Sequence, residues 1–124
     1  MKKQKIEKEV TYEGLGFPVI LRNVPMINLR GNWTPNIDLN VLQKFVLLVL
    51  AHKPSDLTGN QIRFIRNWLG MTQSDFGKLF GVTHPAVAKW EKTENIGSKM
   101  TLTTQRDLRL YLLDKLLKNN DEFR

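Results

Sequence analysis

The sequence predicts a mainly α-helical chain with a small N-terminal extension made of a β-hairpin and one helix. Three observations point that way. Residues 59–92 read as three short helices, each opened by a residue able to cap it and separated by tight turns. Two further stretches, 39–52 and 103–119, carry apolar residues at helical spacing. Residues 12–35, in contrast, are interrupted by Gly14, Gly16, Pro18, Pro25, Gly31 and Pro35, too often for any helix.

Within 59–92 the first helix opens at Gly59-Asn60, where the short Asn60 side chain can cap free backbone N–H groups. It closes at Leu69-Gly70, where glycine supplies a left-handed turn. Ile62, Ile65, Arg66 and Leu69 share one face. The second helix begins at Thr72, with Asp75 three residues on in a variant of the capping box, and runs through Phe76, Leu79 and Phe80 to Gly81. Thr83 caps a third helix whose first turn holds His84 and Pro85, and proline is tolerated there because its missing N–H has no helical partner. Val87 and Trp90 face inward. Two helices joined by a three-residue, glycine-containing turn form the helix-turn-helix unit, which presents its second helix to the DNA major groove.

Thr72-Gln73, Phe76-Gly77, Phe80-Gly81-Val82-Thr83, Val87 and Trp90-Glu91 together resemble the helix-turn-helix of the Cro/lambda-repressor (XRE) family of bacterial and phage regulators, over roughly residues 58–118. The resemblance implies a lambda-repressor-like bundle. Gly77 occupies the position where the family keeps a small residue so that two helices can approach, and Arg66 and Glu91 match a pair that the family uses structurally. The stretch Lys92-Thr93-Glu94-Asn95-Ile96-Gly97 departs from the family's tight turn, so a longer or differently shaped exit loop is expected. The docking geometry makes Thr83, His84, Pro85, Ala86 and Lys89 the candidates for reading bases. Lys89 could donate to guanine O6/N7, His84 could donate to a base or phosphate, and Pro85 and Ala86 offer apolar contact to a thymine methyl. Asn60, Thr72, Gln73, Lys78, Lys92 and Lys99 are candidates for phosphate contacts, which set affinity and not sequence. Gln73 resembles a family glutamine that meets a phosphate and braces the recognition helix.

The rest of the chain reads as support. Residues 1–11 mix charges without a sustained apolar face and are expected to fray. Segments near 17–23 and 26–33 show period-two pairs, Val19/Leu21 and Ile27/Leu29, that fit a hairpin. An open strand edge there would suit docking of another chain. Asp38 is the expected N-cap of a 39–52 helix that is apolar almost all round, with Leu42, Phe45, Val46 and Val49 as one stripe. In the last helix, Leu108, Tyr111, Leu112 and Leu116 should close the core, leaving Leu110, Leu113 and Leu117 for a second cover, within the chain or across a two-fold axis. This divides the chain into residues 1–57, a partner-binding or dimerisation region, and residues 58–124, the DNA-binding region.

Net charge is +7 over 124 residues, which favours a polyanionic partner. Lys2, Lys3, Lys5 and Lys8 hold much of it, so charge carries less of the argument than the motif. With no cysteine, disulfides and common structural zinc sites are excluded, and His52 and His84 are too far apart in sequence to suggest a metal site. Asp38, Asp56, Asp75, Glu91 and Asp107 share no spacing that a metal-dependent nuclease would need, so no enzyme activity, metal or cofactor is expected. The longest apolar run, residues 45–51, cannot span a bilayer, and a cytoplasmic protein is expected. The expected partners are double-stranded DNA and a second copy of the chain. The narrower resemblance to HigA- and MqsA-type antitoxins implies an autoregulator whose residues 1–57 bind a toxin. The alternative is a protein-interaction module on a helix-turn-helix scaffold that does not read DNA sequence.

Overall fold

The computed structural model describes residues 3–122, with side chains through Lys118. Its elements run β1 (Gln4–Tyr12), β2 (Val19–Leu29), β3 (Asn32–Pro35), α1 (Leu39–Ala51), α2 (Gly59–Trp68), α3 (Gln73–Phe80), α4 (His84–Glu91) and α5 (Leu102–Glu122). About half the chain is helical, and a three-stranded sheet accompanies the five helices, so "mainly α" describes the chain only loosely. By its contacts the chain divides into one unit ending at Gln43 and another beginning at Lys44, within α1. The division suggested by the sequence, at 57/58, lies further on. Residues 53–57 are tied to α2 and α5: Lys53 Nζ donates to Gln61 Oε1, Arg109 Nη2 donates to Ser55 O, and Leu57 N donates to Gln105 Oε1.

In the first unit the sheet is antiparallel with strand order β1-β2-β3. The segment expected to fray is a strand from Gln4 onward, while Met1 and Lys2 lie outside the described residues. Ile6, Val10 and Tyr12 share one side of β1, and the alternation is masked in the sequence by the charges between them. Nor does the chain turn near Pro25. β2 runs through it, paired Ile6↔Pro25 with β1, and the hairpin turn falls at Arg30 and Gly31, whose φ values of 54° and 86° suit a tight two-residue hairpin turn. Pro25 costs the sheet little. Its carbonyl accepts from Asn36 N, so its missing N–H falls just beyond the end of β3 at Pro35. Trp33 lies on β3 with Lys5 Nζ 4.3 Å above its ring centroid.

The second unit holds the helical core. Leu47, Leu57, Ile62, Ile65, Phe76, Val87, Leu108 and Leu112 are fully buried, and the apolar spacing of α2 and α5 predicts Ile62, Ile65, Leu108 and Leu112 among them. Phe76, Phe80 and Tyr111 meet edge to face, with centroids 4.9 and 6.1 Å apart, and link α3 to α5. In α1 the buried positions are Val46, Leu47, Leu50 and Ala51. Phe45 and Val49, placed by the sequence on a stripe with Val46, are 64% and 53% exposed. Asp38 does cap α1: its Oδ1 accepts from Asn40 N and Val41 N.

Candidate nucleic-acid interface

The site begins with three caps. Thr58, Thr72 and Thr83 each turn a side-chain oxygen onto the backbone N–H three residues on, so α2, α3 and α4 start at fixed points. For α2 the cap is Thr58, not Asn60. Gln61 Oε1 accepts from Thr58 N in return, completing a capping box whose Thr-x-x-Gln spacing stands in the sequence. Gly81, in the left-handed region at φ 71°, ends α3 and starts the turn into α4. A Cβ on Gly77 would come 2.7 Å from Val82 O, so the turn packs directly on the α3 backbone.

Beneath the two helix starts lies a buried carboxylate. Glu91, at the end of α4, is 1% exposed. Arg66 Nε donates to its Oε2 at 2.7 Å and Arg66 Nη2 to its Oε1 at 3.0 Å; Arg63 Nε and Gln73 Nε2 each donate to Oε1 at 3.2 Å. Burial pushes the Glu91 pKa up, but the hydrogen bonds from Arg66, Gln73 and Arg63, together with the Arg66 charge, outweigh it and hold the carboxyl below its ordinary value. Arg66 Nη1 also donates to Met71 O, tying the α2–α3 turn to the same cluster. Gln73 carries the chain of bonds outward, because its Oε1 lies 2.9 Å from His84 Nε2. The N-termini of α3 and α4 are thereby joined through side chains.

On α4 and its C-terminal cap the exposed positions Pro85, Lys89 and Lys92 recur at steps of four and three, forming one outward stripe opposite Val87 and Glu91. Thr83 and His84 are exposed at the start of the helix. Ala86 is half-buried and turned off the stripe, and Trp90 is half-buried, not a core residue. Residues 62–96, which contain all of α3 and α4, match the family model described as Helix-turn-helix. This segment is an XRE-like helix-turn-helix. Neither the comparison with curated proteins nor that with solved structures found a match.

In this helix-turn-helix the phosphate candidates fall into separate groups. Thr72 and Gln73 sit at the start of α3, beside the start of α4. Asn60, on the first turn of α2, is bonded to the exit loop: its Nδ2 donates to Asn95 Oδ1 and its backbone N to Glu94 O. Lys92 caps the end of α4, and Lys99, exposed at φ 62°, lies at the far end of the same loop. Lys78 is exposed on the last turn of α3. The exit loop folds back onto the start of α2: Thr93 Oγ1 accepts from Gly59 N, Ser98 N donates to Leu57 O, and Gly97 bridges to Thr58. Arg63, which the sequence does not single out, stands three positions before Arg66, a spacing that puts both on one helix face. Trp68 is half-buried and lines an open groove of about 610 Å³ with Lys44, Leu69, Met71, Tyr111, Lys115 and Lys118. Among the described residues no helix is long and apolar enough to cross a membrane.

Proposed function

We propose that the chain is a sequence-specific double-stranded DNA-binding transcriptional regulator acting as a dimeric repressor of a palindromic operator, a binding protein and not an enzyme. The observation that carries the reading is the outward stripe of α4, Pro85, Lys89 and Lys92, standing on a cluster in which Arg66 and Gln73 hold the buried Glu91 carboxylate. A rigid base under exposed donors is what base reading needs, because discrimination depends on fixed donor positions. In this reading Lys89 donates to guanine O6/N7. Lys92, Thr72 and Lys99 supply phosphate contacts.

For His84 the hydrogen bond to Gln73 favours an acceptor's part beside the donor's part that the sequence suggests. Gln73 spends its amide nitrogen on Glu91, and the reverse amide orientation would set two oxygens against each other. The ring Nε2–H therefore donates to Gln73 Oε1, and the neutral ring has Nδ1 left as an acceptor. Such an acceptor suits adenine N6–H or cytosine N4–H.

The narrower reading, an autoregulating antitoxin, is favoured by the sheet. β1 and β3 are both edge strands in the order β1-β2-β3, and an edge offers backbone partners to an added strand from a toxin.

Selection from a randomised duplex pool, followed by anisotropy titration at several salt concentrations for wild type and Lys89→Ala, tests the operator reading. The expected result is an enriched palindrome whose preference relaxes in the variant, with a loss of about 1–3 kcal/mol. No enrichment, with binding lost at physiological salt, would put the protein-interaction module in its place.

A further inference from the structure

The open groove of the helical unit brings together apolar and cationic side chains that the operator reading does not use. Its apolar lining is Trp68 and Leu69 at the end of α2, Met71 in the turn that follows, and Tyr111 on α5. Among the described residues that line it three are lysines, Lys44, Lys115 and Lys118, and none is acidic. Lys118 pairs with Asp114 at 3.1 Å, but the two side chains are 65% and 56% exposed, and a pair so open to water is loosely held. The groove therefore favours an anionic occupant. Its apolar part is also set in place beforehand: Met71 O accepts from Arg66 Nη1 at 2.9 Å, and the Tyr111 ring meets Phe80 edge to face. A preformed surface costs less ordering on binding.

We propose that this groove docks an acidic peptide segment of a partner protein, with one large apolar side chain against Trp68, Leu69 and Met71 and flanking carboxylates on Lys115 and Lys118. Nucleic acid fits the lining less well. A stacked base needs an open ring face, whereas the Tyr111 ring meets Phe80 and has Lys115 Nζ 5.3 Å from its centroid. Leu69 and Met71 are aliphatic and suit an apolar side chain. A small molecule is held best where most of its surface is buried, and this groove is open to water. Tryptophan, tyrosine and methionine are, in contrast, enriched where proteins meet. None of the lining residues lies on α4, so the proposal stands apart from the operator reading.

Fluorine NMR of the full chain labelled with 5-fluorotryptophan tests the groove, with a short peptide of glutamates around a single leucine as the probe. At physiological salt, which screens distant charges, the peptide moves the Trp68 signal, assigned by its loss in Trp68→Phe, and leaves those of Trp33 and Trp90 in place. Lys115→Glu weakens binding by roughly tenfold, the size of one charge-assisted hydrogen bond. Arg106→Glu, the same charge change at an exposed position of α5 outside the lining, alters it by less than about twofold. Serine in place of the peptide's leucine also costs about tenfold. A Trp68 signal that stays fixed up to millimolar peptide overturns the proposal. Equal binding of the leucine and serine peptides does so too, because charge attraction alone would then explain it. An oligothymidine strand that moves the same signal and displaces the peptide would assign the groove to single-stranded nucleic acid instead. The titration contains no operator, so failure to select one leaves this result untouched.

Discussion

The helical unit and the sheet unit are held by different kinds of interaction. In the helical unit eight large apolar side chains are fully buried, and a 1% exposed carboxylate takes hydrogen bonds from three side chains. In the sheet unit the buried apolar side chains are Phe17, Val24 and Met26, and its ion pairs, Lys5–Glu7 at 2.8 Å and Arg22–Glu9 at 3.8 Å, are open to water. Surface pairs of that kind contribute about 0–1 kcal/mol. The sheet keeps its register through the backbone ladder and the Arg30-Gly31 turn, and the helical unit through side chains packed in one arrangement. Single side-chain changes should therefore be felt strongly in the second unit and weakly in the first.

The largest effect is expected at Glu91. Glu91→Gln leaves Arg66, whose side chain is 14% exposed, without its counter-charge, and should lower the unfolding free energy by about 3 kcal/mol. The wild-type protein should also lose stability in acid. With the folded carboxyl held below its ordinary value, the unfolded chain binds more protons as pH falls, so this contribution is complete above the unfolded pKa, about 4.3, and disappears as pH drops through the folded one. Urea titrations across that acid range should show a slope that Glu91→Gln reduces. An unchanged slope would mean that Glu91 is not the group responsible.

Gly59→Ala comes next. A Cβ there would overlap the Trp90 carbonyl oxygen and approach both Glu91 O and Thr93 Oγ1 to 2.7 Å, where the exit loop folds against the start of α2. Two of these are backbone atoms at the end of α4, so that end and the loop after it must move, at a cost of about 2 kcal/mol. The denaturant midpoint should fall with no change in slope. A midpoint equal to wild type would show that the loop yields freely and that this part of the helical unit is less tightly fixed than its contacts suggest.

The same contrast explains how far the sequence can be read. Helix starts are legible at Thr72 and Thr83, because a cap is a local event written within four residues. The Arg66–Glu91 pair is reached through the resemblance, since its partners are far apart in the chain; Arg63 and Gln73, which complete the cluster, share no local signal with Glu91. Strand β1 escapes detection because Glu7, Lys8 and Glu9 hide the alternation of Ile6, Val10 and Tyr12, and a strand that stays largely exposed has no strong apolar pattern to show. The turn is misplaced because Pro25 reads as a breaker until the short length of β3 is known, and that length is a fact of pairing. In α1 the sequence shows an excess of apolar surface, but only packing decides which side is covered, and Phe45 falls on the open one.

The smallest effect is expected in the sheet. Lys5 lies over the Trp33 ring, and Trp33 is 37% exposed, so the contact is half in water. A cation over an exposed aromatic ring contributes about 0.5–1 kcal/mol, and Lys5 also shares its charge with Glu7. A double-mutant cycle with Lys5→Met and Trp33→Leu isolates that contact, since methionine and leucine keep much of the apolar bulk. A coupling of about 0.5 kcal/mol or less fits a sheet whose register rests on its backbone. A coupling above about 1.5 kcal/mol would break the comparison: β1 and β3 do not pair directly, so a contact between their side chains would be holding the two edges of the sheet in place.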